Sequence, residues 1–263
     1  MITSRANPRI KQLVQLQKPR ERRAQGLVVI EGMREIRRAA TSGWNFTELF
    51  VCDELVKFAD RHVVETLAQR CRTERISTEV FEHVAYRENS DGVIALAKAP
   101  DWSLNTLNPG ANPLILVLEA VEKPGNLGAI LRTADAAGVN AVLVCDPATD
   151  LFNPNTIRSS VGCIFTVPVR ACSSQQALTW LGEHQIVIFA TTLEASENYL
   201  NADYTVPTAI VLGTEADGLS PFWIKHAHHR IKIPMSGVAD SLNVSTAAAI
   251  VTFEAIRQRK QKA

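Results

Sequence analysis

The run LILVLEAV, Leu114 to Val121, constrains the fold of this 263-residue chain more than any other stretch. A half-buried strand alternates apolar with polar positions, whereas a run apolar on both alternations reads as a strand buried on both faces of a parallel sheet. Four more strand-like runs follow it, NAVLVC, IVIFAT, AIVLG and RIKIP, with helical patterns between most of them. That order predicts an α/β fold, a mainly parallel sheet wrapped by helices.

Upstream, Ala99 to Pro113 (APDWSLNTLNPGANP) holds three prolines, one glycine and three asparagines without sustained apolar periodicity, and reads as a linker. It divides the chain into a smaller α/β domain over 1–98, a linker over 99–113 and a second domain over 114–263. In the first domain a basic helix pattern (Pro8 to Gln17) precedes the apolar LVVI, a helix over Glu31 to Thr41, FTELFV as a strand, a helix over Glu54 to Arg70, and GVIALA. Hydrophobic residues make up 46% of the chain, enough for a sizeable core in each domain.

Net charge is only +1, yet residues 1–40 carry ten Lys or Arg against three acids, so the remainder is acidic. Such polarity suits phosphate contact at one end. The candidates are Lys11, Lys18, Arg20, Arg22 and Arg23, although KPRERR, Lys18 to Arg23, also reads as an exposed turn of a solvated surface. No apolar run approaches the roughly 20 residues of a membrane span and the N-terminus lacks the apolar stretch of a signal peptide, which predicts a cytoplasmic protein. The five cysteines are odd in number and show no CxxC spacing, so reduced, mostly buried thiols are expected and no metal site. His226, His228 and His229 cluster near the end of a predicted helix, with no carboxylate or cysteine beside them.

Three stretches combine permissive glycines with uncharged hydrogen-bonding side chains: NLGAILR (Asn126 to Arg132), GTEADGLS (Gly213 to Ser220) and IPMSGVADSLNVS (Ile233 to Ser245). Each sits where an apolar run gives way to a helix pattern, the place where α/β folds gather ligand-binding loops. In the first, Asn126 reads as the N-cap of a helix closed by Gly138, and Arg132 follows Gly128 by one turn; the plain alternative pairs Arg132 with Asp135. In the second, Gly213 falls at the carboxyl end of a strand, Glu215 projects from the loop, Gly218 permits a tight turn and Ser220 reads as a cap before Pro221. In the third, Ser241, Asn243 and Ser245 exceed what one cap needs, ahead of a helix rich in small residues. Phosphate-loop, dinucleotide-loop, HExxH and GxSxG patterns do not occur.

In this order the three stretches resemble the motifs of the SpoU (TrmH-like) RNA 2′-O-ribose methyltransferases of the SPOUT superfamily, from about Leu114 to Ile256. NPRIK at Asn7 to Lys11, VVIEGMREI at Val28 to Ile36 and GVIALA resemble the RNA-binding domain that many rRNA-directed SpoU enzymes carry. The resemblance implies S-adenosylmethionine as cofactor, a ribose 2′-hydroxyl of structured RNA as acceptor, a C-terminal trefoil knot, a homodimer and no metal. It assigns the reaction to Asn126, Arg132, Glu215, Ser241 and Asn243, and cofactor contacts to backbone near Gly213, Ile233 and Leu242. A guanidinium is a poor base at neutral pH, so Arg132 is read as stabilising the developing oxyanion or orienting the adjoining phosphate, with Ser241 and Asn243 positioning the hydroxyl and Glu215 anchoring loops. The appended domain favours rRNA over tRNA; a tRNA enzyme and an inactive RNA-binding member of the same fold are the alternatives.

Overall fold

The computed structural model of the chain describes residues 1–262 except 89, 148, 196, 215 and 216. In chain order its elements are α1 (Pro8–Gln15), α2 (Pro19–Gln25), β1 (Leu27–Glu31), α3 (Met33–Thr41), β2 (Phe46–Val51), α4 (Arg61–Ala68), β3 (Arg72–Arg75), α5 (Thr78–Val84), β4 (Val93–Lys98), β5 (Leu114–Glu119), α6 (Pro124–Ala137), β6 (Ala141–Cys145), α7 (Pro154–Ser159), β7 (Val169–Cys172), α8 (Ser174–Glu183), β8 (Val187–Thr191), β9 (Glu197–Asn198), β10 (Thr208–Leu212), α9 (Pro221–His226), β11 (His229–Lys232) and α10 (Val244–Lys262). They form two compact units, Met1–Pro100 with Phe152–Thr166, and Asp101–Leu151 with Val167–Ala263.

The first unit is built on a four-stranded sheet in the order β1-β4-β2-β3, antiparallel except for the β2–β3 pair. Its core gathers Leu13, Leu16, Phe50, Ile76, Phe81 and Leu96, all nearly inaccessible to water. α1 begins as its sequence dictates: Asn7 accepts from the Arg9 N–H at 2.9 Å, and Pro8 fits the first turn where no N–H is needed. KPRERR is not a turn. It forms α2 behind the cap position Lys18, and Gly26 ends the helix at φ +62°.

The predicted helix at Glu31 starts at Met33, because Glu31 completes β1 and Gly32 turns the chain at φ +101°. The predicted helix over Glu54 to Arg70 shortens to α4, and β3 and α5 are elements that the periodicity does not reveal. Phe152–Thr166 folds into this first unit, so the second body is not continuous along the chain. Trp44 packs edge-on against Phe165 at 4.9 Å and Phe152 at 5.7 Å, and its indole N–H donates to the Phe165 carbonyl at 3.3 Å. Gly162, at φ +81°, presses against the backbone of Glu35 so closely that a Cβ would stand 3.2 Å from that Cα.

The second unit is a seven-stranded sheet, β7-β6-β5-β10-β8-β11-β9, and every pairing in it is parallel. The expected mainly parallel α/β architecture holds. β5, β6 and β10 are buried along their whole length, which is why their residues read as unbroken apolar runs. Ile115, Val117, Leu143, Trp180, Val211 and Trp223 form one core cluster, and α10 packs against α6. The five cysteines are free thiols; Cys145 and Cys172, paired across β6 and β7, have their sulfurs 3.9 Å apart, and that contact, with burial second, pushes the Cys145 thiol up. Among the described residues no helix is long and apolar enough to cross a membrane.

Candidate active site

β5, flanked by β6 and β10 in its sheet, ends at Glu119 and leads into α6. Two sequence rules compete there, Asn at the N-cap and Pro at the first helical position, and the proline wins. The cap position is Lys123, Pro124 opens the helix, and Asn126 lies inside its first turn rather than capping it. Gly138 closes the helix at φ +66° as expected. The side chain of Asn126 is therefore not used as a helix cap, and its Oδ1 accepts from Nδ2 of Asn243 at 3.3 Å, linking the first motif to the third across 117 positions.

Asn243 stands immediately before α10, where its Oδ1 accepts from the Ser245 N–H at 2.9 Å and the Ser245 hydroxyl at 2.6 Å. One asparagine thus caps the last helix with its oxygen and reaches Asn126 with its amide nitrogen. Ser241 donates to Asp240 at 3.2 Å. Arg132 is exposed on α6, one turn after the buried Gly128, and makes no hydrogen bond or ion pair among the described residues, so the alternative pairing with Asp135 does not form. Glu215 lies outside the described residues.

A cavity of about 780 Å³ opens at the carboxyl ends of β8, β10 and β11. Gly213 from the second stretch lines it together with Ile233, Ser241 and Leu242 from the third. Asn126, Arg132 and Asn243 are not among its lining residues. The wall mixes backbone and apolar side chains (Leu212, Ile231, Val244) with the acids Glu194, Asp217 and Asp240. Gly213 has a further structural reason to be glycine: a Cβ there would overlap the carbonyl of Gly218, so its absence lets the loop fold back on itself. The loop closes through Thr214 N–H to the Gly218 carbonyl at 3.0 Å and Gly218 N–H to the Thr214 carbonyl at 3.2 Å, with Gly218 at φ +68°. Ser220 occupies the N-cap of α9 but makes no capping bond with its side chain; it donates instead to Glu119.

Of the five basic candidates in the first unit, Lys11, Lys18, Arg20 and Arg23 are exposed and have no hydrogen-bond or ion-pair partner among the described residues. Arg22 is the exception and a correction. It is 3% exposed, and its guanidinium donates to the carbonyls of Leu16 and Gln17 at 2.7 Å each, closing the orphan end of α1 rather than facing phosphate. The three histidines are engaged separately: His226 with the Phe222 carbonyl at 2.8 Å, His228 accepting from the Ile188 N–H at 3.0 Å, and His229 against Glu197 at 3.3 Å. Sequence reasoning passed over Glu119, Asp240 and the β8 end, Thr191 to Glu194. For Glu119 a signal existed, a single charge inside an otherwise apolar run.

Residues 113–253 match the SpoU rRNA Methylase family, and residues 7–95 match the MRM3-like substrate binding domain. The chain is 32% identical, over 98% of its length and 92% of the relative's, to a 23S rRNA (uridine(2479)-2′-O)-methyltransferase of Streptomyces viridochromogenes. It is 29% identical to the 23S rRNA (guanosine(2553)-2′-O)-methyltransferase RlmP of Bacillus subtilis, over 96% of this chain and 97% of that one. Among solved structures, an RNA 2′-O ribose methyltransferase shares 41% identity with a TM-score of 0.85, covering 98% of this chain and 99% of its own. The SpoU methyltransferase AviRb from Streptomyces viridochromogenes, in complex with AdoMet, shares 27% identity with a TM-score of 0.90, covering 97% of this chain and 98% of its own. With both of its stretches matched and relatives aligned along nearly its whole length, this chain belongs to the SpoU rRNA methylase family.

Proposed function

We propose that this enzyme transfers the methyl group of S-adenosylmethionine to a ribose 2′-hydroxyl of ribosomal RNA. The observation that carries the reading is the convergence of Gly213, Ile233 and Leu242 on one cavity of about 780 Å³, a volume in the range of small-molecule sites. Donor chemistry fits: backbone groups and apolar walls suit a nucleoside, and Glu194, Asp217 and Asp240 offer carboxylates to a cationic ligand. When bound, the cofactor supplies a methyl on sulfonium, already activated for displacement.

The chain's own task is then orientation and charge. The Asn126–Asn243 contact fixes the start of α6 against the start of α10. Arg132, exposed and uncommitted, stabilises the acceptor oxygen or grips the adjoining phosphate, and that phosphate takes the proton as the hydroxyl loses it. Ser241 lies on the cavity wall, placed to orient the acceptor with Asn243. Glu215 is assigned to holding the active-site loops.

Lys11, Lys18, Arg20 and Arg23 form the phosphate-contacting surface, and the relatives' named substrates favour rRNA over tRNA. A homodimer goes with this reading: α10 presents Ala249, Ile250, Phe253 and Ile256 at helical spacing, with Phe253 48% exposed. The trefoil knot, a cytoplasmic location and independence from metal complete the proposal. Calorimetric titration with S-adenosylmethionine in a chelator, and mapping of 2′-O-methyl sites in rRNA from cells with and without the gene, test it. Absence of cofactor binding at millimolar concentration, or an unchanged rRNA methylation map, overturns it.

A further inference from the structure

Glu119 ends β5 and is 8% exposed. Its hydrogen-bond partners among the described residues are both on Ser220: the backbone N–H at 2.8 Å and the hydroxyl at 2.5 Å. An ionised carboxylate only accepts, so Ser220 supplies both protons. Serine at a helix N-cap ordinarily accepts a bond from the first turn, and Ser220 makes none; its hydroxyl is turned toward Glu119 instead. Among the described residues Glu119 has no ion-pair partner, and a buried carboxylate in that condition costs stability that an apolar residue would not.

Register explains what the carboxylate does. Leu118 pairs with Leu212, so Glu119 stands beside Gly213, where the chain leaves the sheet. The same side chain grips Ser220, where the chain begins α9. Between those two points Gly213, Thr214, Asp217, Gly218 and Leu219 wall the cavity, whereas Glu119 does not line it.

We infer that Glu119 is a positioning residue for cofactor binding: by clamping Ser220 it fixes the adjoining Asp217, Gly218 and Leu219 where they form the cavity wall. The inference rests on reading that cavity as the S-adenosylmethionine site. The test compares the full-length wild type with Glu119→Gln, Ser220→Ala and the double variant. Calorimetry reads cofactor affinity, RNA affinity is measured separately, and the cofactor dependence of turnover is recorded.

Glutamine presents one acceptor and one donor to two donors, so Glu119→Gln is expected to weaken S-adenosylmethionine about tenfold. Ser220→Ala keeps the backbone bond and should weaken it about threefold. The double variant should be no worse than Glu119→Gln, RNA affinity should be unmoved, and the turnover deficit should shrink as cofactor is raised. If Glu119→Gln does not fold, Ser220→Ala carries the comparison. Cofactor affinity within twofold of wild type in a folded variant, or effects that add in the double variant, would overturn the clamp. A wild type that binds RNA but not S-adenosylmethionine would remove the cofactor reading itself, an outcome separate from failure of the variants.

Discussion

Arg22 and Arg23 are neighbours in sequence and opposites in role. Arg22 is buried on two carbonyls of the α1 end, whereas Arg23 is exposed. Arg22→Ala should therefore lower stability by about 2 kcal/mol in urea or thermal unfolding, because two carbonyls lose a charged donor, and leave the salt dependence of RNA binding unchanged. Lys18→Ala, Arg20→Ala and Arg23→Ala should do the reverse, each flattening the log–log salt slope by about one unit at unchanged stability. A slope that falls for Arg22→Ala would return that residue to the RNA surface. Charge counting cannot separate the two arginines, since burial of a guanidinium depends on where α1 ends. At Arg132 the exposed fork is the point: Arg132→Ala should abolish methyl transfer with cofactor affinity within a few fold, and Arg132→Lys should fail too, because an ammonium does not reproduce the two-pronged geometry. Near-normal turnover in the lysine variant would show that charge suffices.

At the scale of elements, the parallel sheet was legible because burial on both faces leaves an apolar run with little ambiguity, as in β5, β6 and β10. β3, with sequence RTER, was not: it lies in a sheet of the first unit with no residue fully buried, so neither alternation nor an apolar run marks it. Of the three motif stretches, the second and third bring Gly213, Ile233, Ser241 and Leu242 to one cavity, whereas Asn126 and Arg132 of the first are not among its lining residues. Their local geometry was not legible, because glycine and asparagine satisfy several turn and cap roles equally well. Gly213 illustrates this, being required by the return of its own loop. Gly213→Ala should force Gly218 aside, open the Thr214–Gly218 pairing and cost cofactor affinity along with stability; calorimetry showing unchanged affinity would mean the loop has a second conformation of equal fit. On α10 the apolar outer stripe assigns a different outcome, since Phe253→Arg should shift sedimentation from dimer to monomer if that stripe is the subunit contact, with secondary structure intact by circular dichroism.

For the whole molecule, the division near residue 100 suggests a clean cut, and the placement of Phe152–Thr166 argues against one. Thr156, Ile157, Cys163, Ile164 and Phe165 are buried within the first unit, where Trp44 covers Phe165 and the Arg38 guanidinium donates to the Cys163 sulfur at 2.7 Å. A fragment beginning at residue 99 keeps every residue lining the cavity and loses the partners of that segment. Apolar side chains left without cover bind hydrophobic dyes and admit proteases. Expected is a fragment that still binds S-adenosylmethionine, with limited proteolysis cutting first between residues 152 and 166 and dye binding above that of the full chain. RNA affinity should fall with it, since Lys11, Lys18, Arg20 and Arg23 leave with residues 1–98. A fragment as protease-resistant as the full chain would show that the segment folds without the first unit, whereas loss of cofactor binding would mean that the sheet of the second unit needs the first in order to form its pocket.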